Sequence, residues 1–128
     1  MMVRALDPSG VFDFEVADGD AVPTVFEIRV LTVREREWIM ERYGKAGDEK
    51  QTRIILDTIR LGLNGWRDFL TATDDEVEFE MADGKMPSSK RTEFVSDAAL
   101  QLIPPKIWGD LCNAILMGNQ LTEEDKKN

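Results

Sequence analysis

Three glutamates at alternate positions, Glu76, Glu78 and Glu80, come closest to a chemistry in this sequence. On an extended strand their carboxylates project from one face at intervals of roughly 6.6–6.8 Å. With Asp74, Asp75 and Asp83 such a row would hold a divalent cation, or imitate the charge of a phosphate backbone. The plainer reading is a solvated strand face opposite an inward face of Val77, Phe79 and Met81. Lys85 lies past the Asp83-Gly84 turn in a strongly acidic neighbourhood, poor ground for a metal-dependent nuclease. Asp18-Gly19-Asp20 continues as Ala21-Val22-Pro23 and so lacks the calcium-loop pattern. Gly62 and Gly65 flank Leu63-Asn64 without a strand-to-helix turn, so they read as a helix C-terminus rather than a phosphate loop.

Composition removes other chemistries. The chain contains no histidine, which excludes imidazole bases, His–Ser and His–Cys pairs and imidazole metal ligands. A single cysteine, Cys112, excludes an internal disulfide and any thiolate cluster, and it points to a reducing compartment. It falls beside Trp108, Leu111 and Ile115, with no basic residue adjacent to lower its pKa. A small buried hydrophobe is expected there. The tryptophans Trp38, Trp66 and Trp108 lie on or just beyond helices; core packing is expected, or an anchor for a partner surface. No catalytic residues, cofactor or metal are expected. By exclusion the chain reads as a binding or assembly protein.

Sixteen basic against 25 acidic residues give a net charge of −9. Direct nucleic-acid binding is therefore opposed on average. The charge is uneven: −4 over residues 1–31, +1 over 32–70, −5 over 71–86 and −1 over 87–128. With 128 residues, 42% of them hydrophobic, the chain fits a single domain with its own core. The opening Met1-Met2-Val3-Arg4-Ala5-Leu6-Asp7-Pro8 lacks the apolar run of a signal peptide, and no stretch suits a membrane span. An acidic cytosolic domain is expected.

Positioning these residues calls for both strands and helices. Phe12-Asp13-Phe14-Glu15-Val16 alternates apolar and acidic residues, and Phe26-Glu27-Ile28-Arg29-Val30 repeats the alternation. Together they predict an antiparallel hairpin around Asp18-Gly19-Asp20 and Pro23. Val77–Met81 predicts a third, acidic strand. Thr32-Val33-Arg34-Glu35 is a capping box opening a helix to about Tyr43, with Val33, Trp38, Ile39 and Tyr43 inward. Asp48-Glu49-Lys50-Gln51 opens a second, carrying Ile54, Ile55, Ile59 and Leu63 and ending at Asn64-Gly65. A third is expected after Thr92, burying Phe94, Val95, Ala98 and Leu102, until Pro104-Pro105 stops it. The fourth carries Ile107, Trp108, Leu111, Ile115 and Leu116 before Gly118. The expected fold is α+β: an N-terminal hairpin, two helices, a short acidic strand or hairpin and two C-terminal helices. The domain is expected over 1–120, with 121–128 a frayed polar tail. Trp108, Leu111, Ile115, Leu116 and Leu121 form an apolar stripe longer than one small core needs, and are the candidate partner-binding residues.

Four pieces carry a resemblance to a known family. Ala5-Leu6-Asp7-Pro8 leads into the hairpin, and Phe26–Glu35 runs from strand straight into a capped helix. Leu61-Gly62-Leu63-Asn64-Gly65-Trp66-Arg67-Asp68-Phe69 places a Gly-Trp pair at a helix end. Gly118-Asn119-Gln120-Leu121-Thr122-Glu123-Glu124-Asp125-Lys126-Lys127-Asn128 forms a polar close. In this order the chain resembles the tail assembly chaperones of long-tailed bacteriophages. The resemblance implies a non-enzymatic protein of the host cytoplasm that coats the tape-measure protein and recruits tail-tube subunits, with weak self-association and without membrane or nucleic-acid contact. Family members are largely helical, so three strands leave room for another head or tail structural role. An acidic inhibitor that mimics nucleic acid is the reading from a different class.

Overall fold

Alternation of apolar and acidic side chains from Val11 onward builds the first strand. A computed structural model describes residues 2, 5, 7, 9–17, 19, 22–45, 47 and 51–121, with 119–121 as helix backbone only. β1 (Val11–Val16) and β2 (Thr24–Arg29) form the expected antiparallel hairpin, in a register that sets Phe12 opposite Ile28 and Phe14 opposite Phe26. β1 alternates exposed and half-buried positions, whereas β2 is buried on both faces. A third strand, β3 (Leu63–Arg67), joins the other side of β2 and gives the order β1-β2-β3. The architecture is α+β.

Helices α1 (Val33–Lys45) and α2 (Gln51–Gly62) follow the hairpin. The first capping box forms in both directions. Glu35 N–H donates to Thr32 Oγ1 at 3.2 Å, and Thr32 N–H donates to Glu35 Oε1 at 2.8 Å. Val33 is exposed rather than inward, because the box turns Glu35 into the protein at that point. Ile39 is buried, while Trp38 and Tyr43 are half-buried. The second box cannot be placed, since Asp48, Glu49 and Lys50 lie outside the described residues. Ile54 and Ile59 are buried on α2. Leu63 is buried too, but from β3, which follows α2 without a loop.

Two further expectations are corrected. Val77–Glu80 is not a regular strand; only β4 (Met81–Asp83) is, and its partner is β5 (Glu93–Val95). The alternation survives, with Glu76, Glu78 and Glu80 exposed and Val77, Phe79 and Met81 half-buried. Val77 N–H is bound to Phe69 C=O, and Val77 C=O accepts the Trp66 indole N–H at 2.8 Å, so the segment is tied down as a cover. The third helix is only α3 (Asp97–Leu100). Phe94 and Val95 suit a strand, and Ser96 Oγ caps the helix from Ala99 N–H at 3.1 Å. That start places Ala99, Leu100 and Ile103 inside and leaves Ala98 and Leu102 exposed. A single 3-10 turn (Pro105–Ile107) then leads into α4 (Trp108–Leu121), which runs through Gly118 rather than ending before it.

The core lies between the inward face of the sheet and the helices α1, α2 and α4, with Phe26, Ile28, Ile39, Ile59, Leu63, Leu111 and Ile115 at its centre. Where α2 meets α4, Gly62 lets the Ile115 side chain approach the backbone directly. Trp66 organises a second layer. Its ring stands edge-on to Phe69 and Phe79, each with centroids 4.9 Å away, and to Phe26 at 6.3 Å.

Candidate protein-docking groove

The apolar stripe of α4 divides between core and surface. Leu111 and Ile115 are fully buried, so they stabilise the fold and offer nothing to a partner in this conformation. Trp108 is half-buried and fixed by its indole N–H, which donates to Ile103 C=O at 2.8 Å. Leu116 is half-buried against the core, and the side chain of Leu121 lies outside the described residues. The exposed apolar side chain on α4 is Met117, which the stripe did not include. The stripe thus reads as the packing face of a core helix.

Apolar surface is instead gathered at the start of that helical segment. A groove of about 260 Å³ opens between the end of the hairpin and the Pro105–Ile107 turn. Val16, Ala17, Val22, Phe26, Phe69, Pro104 and Ile107 supply its apolar lining. Thr24, Lys106 and Asp110 supply the polar lining. Val22 is 62% exposed. The volume is below the roughly 300–1,000 Å³ of small-molecule sites, and suits one or two side chains of a protein partner. Sequence reasoning missed the groove because its walls come from segments about eighty residues apart.

The first acidic block runs through β1 and β2, and the third runs through the cover segment into β4, which belongs to the second sheet. Within the first block, Asp13 is paired: Arg67 of β3 donates to its Oδ2 at 2.8 Å. Among the described residues, no group of three or more His, Cys, Asp or Glu is placed to hold a metal ion. Cys112 is buried as expected, its sulfur 3.3 Å from the Tyr43 hydroxyl. Burial first, and then Cys112, push the Tyr43 phenol well above its ordinary value. The thiol sits in a packed site with no nucleophile geometry around it.

One buried polar cluster was not foreseen. Glu35 is fully buried, and its carboxylate accepts from Ser89 Oγ at 2.5 Å and Arg91 Nε at 3.0 Å. Burial pushes this carboxyl up, but the hydrogen bonds from Ser89, Thr32 N–H and Arg91 outweigh it, leaving it below the ordinary carboxylate value. Arg29, also buried, donates to Leu61 C=O at 2.7 Å and Glu93 C=O at 3.0 Å and lies over the Phe94 ring. Burial and the nearby Arg91 charge pull its guanidinium down to about 10, so it is still cationic at neutral pH. The cluster is a clamp between segments. It faces no cavity.

Comparison with protein-family models, with curated proteins and with solved structures finds no match to this chain. Among the described residues, no helix is long and apolar enough to cross a membrane.

Proposed function

We propose that this chain is a non-enzymatic assembly factor of the tail-assembly-chaperone kind, which holds segments of phage structural proteins in the host cytoplasm. The groove between Val22 and Ile107 carries this reading: it is open, of mixed apolar and polar lining, and sized for side chains of another protein. Occupation by many weak contacts along a tape-measure protein would supply avidity without a tight single site. The exposed row Glu76, Glu78 and Glu80 favours the second reading, an acidic mimic of nucleic acid. Against it, the acidic blocks belong to two separate sheets, and Asp13 of the first is already paired with Arg67.

Co-expression with a tape-measure fragment, followed by affinity measurement on the soluble complex, separates the two. Val22→Asp places a charge in the groove at an exposed position and should weaken binding by about 1–2 kcal/mol. Replacing Glu76, Glu78 and Glu80 by Gln should leave it nearly unchanged. The opposite result, binding lost with the glutamines and kept with Val22→Asp, transfers the chain to the mimic class.

A further inference from the structure

The sheet order leaves β1 as an edge strand, and its ladder fixes which backbone groups face outward. Val30 N–H donates to Gly10 C=O at 2.9 Å, so Gly10 and Val30 are a hydrogen-bonded pair immediately before the strand. In an antiparallel ladder such pairs recur at every second residue. Phe12, Phe14 and Val16 therefore bond to β2, and the N–H and C=O groups of Val11, Asp13 and Glu15 point away from it. Among the described residues no backbone group pairs with them.

Natural edge strands are commonly protected by charged side chains, lysine above all, by proline or by a bulge. β1, Val11-Phe12-Asp13-Phe14-Glu15-Val16, has no lysine, proline or bulge. What it carries is acid. Asp13 and Glu15 are exposed on the face shared with Val11, and Glu15 makes no ion pair among the described residues. A second copy pairing along β1 sets Asp13 against Asp13, or Asp13 against Glu15, and carboxylates facing across a ladder are unfavourable. Nucleic acid is opposed by the same charge. Asp13 is already paired with Arg67, so a strand with a basic residue opposite Glu15 gains at that position, and its alternate apolar residues meet the half-buried edge of Phe12, Phe14 and Val16.

We propose that the β1 edge takes up, as a fourth strand of the sheet, an extended segment of a partner protein in which basic and apolar residues alternate. Pairing is through the outward N–H and C=O groups of Val11, Asp13 and Glu15, the mode of strand addition to an open sheet edge. Specificity comes from the Glu15 carboxylate, since that of Asp13 is already held by Arg67. The site adjoins the groove, with which it shares Val16, but it pairs through the backbone of Val11, Asp13 and Glu15 and holds independently of the assembly role.

The probe is a capped hexapeptide of alternating lysine and valine, compared with the same peptide N-methylated at its lysine amides and with a glutamate–valine peptide. Titration with amide hydrogen exchange should slow exchange at Val11, Asp13 and Glu15 with the first peptide alone. Glu15→Lys, an exposed change, should weaken it at least about fivefold, the scale of one cross-strand charge pair, with an unchanged melting curve. The N-methylated peptide tests the same point on the unaltered protein: it keeps the charge and loses the donors, so it should not bind. Equal binding of the methylated peptide, protection confined to the groove, or pairing of two copies along β1 would each overturn the proposal.

Discussion

Arg91 Nε–H donates to the Glu35 carboxylate at 3.0 Å across 56 residues of sequence. The same guanidinium donates to Val30 C=O at 2.6 Å, and the same carboxylate closes the capping box of α1. One ion pair thereby joins the chain leaving β2, the start of α1 and the segment entering β5. Its energetic weight lies in asymmetry: two charges that suit each other when paired are costly when one is removed.

Arg91→Ala should therefore destabilise the protein by about 3 kcal/mol, because Glu35 is left buried without its counter-charge. That is a large part of the roughly 5–15 kcal/mol that holds a domain of this kind. Urea denaturation followed by tryptophan fluorescence measures it. A loss below about 1 kcal/mol would mean that Ser89 and Thr32 satisfy the carboxylate alone.

Acid should expose the same pair. The folded Glu35 carboxyl lies below its ordinary value of 4.5. Its contribution is complete above the unfolded value and is lost as pH falls through the lower, folded one. Stability should hold from neutrality to about pH 5 and decline below 4.5. Asp7, lowered by its hydrogen bonds from Ser9, declines in the same direction. Glu35→Gln keeps the Asp7 part, so the difference between the two acid limbs isolates Glu35. It should be less stable than the parent at neutral pH and have the flatter limb; parallel limbs would refute the assignment.

Cys112 should resist alkylation in the native protein and react promptly in denaturant, since it is 2% exposed. Tyr43→Phe removes the 3.3 Å contact to its sulfur and should cost about 0.5–1.5 kcal/mol. Native labelling at the unfolded rate would place the thiol on an accessible surface.

Gly62→Ala ordinarily favours a helix by about 0.5–1 kcal/mol. Here the added methyl would collide with Ile115, which is fully buried, and overpacking of this kind costs about 1–3 kcal/mol. Net destabilisation is expected, read from a shift in the denaturation midpoint. Combined with Ile115→Ala, the effect should fall short of the sum of the two single changes.

Local signals were legible where local physics decides. The reciprocal box of Thr32 and Glu35 and the alternation of β1 and β2 both appear in the structure. Gly62 does close α2, as read from the sequence, but Leu63-Asn64-Gly65 was misread as part of the same helix end, whereas the chain passes directly into β3 to pair with β2. Only the tertiary partners of Trp66 reveal that strand. Ser96 carried a cap signal four residues beyond the threonine first chosen, and the inward face of α3 was displaced with it. In the C-terminal helix the spacing of Leu111 and Ile115 identified an apolar face correctly, but spacing does not say whether core or partner covers it. The groove and the Glu35 clamp join residues distant in sequence, and no window along the chain contains them.

The Arg29 and Arg91 contacts also set an order in time. Synthesis delivers Glu35 long before Arg91, so the nascent chain holds a carboxylate whose burial has no counter-charge until the last third emerges from the ribosome. Arg29 likewise waits for the carbonyls of Leu61 and Glu93. Burial of the Glu35 carboxylate with its counter-charge thus needs the segment around residues 89–93 in place.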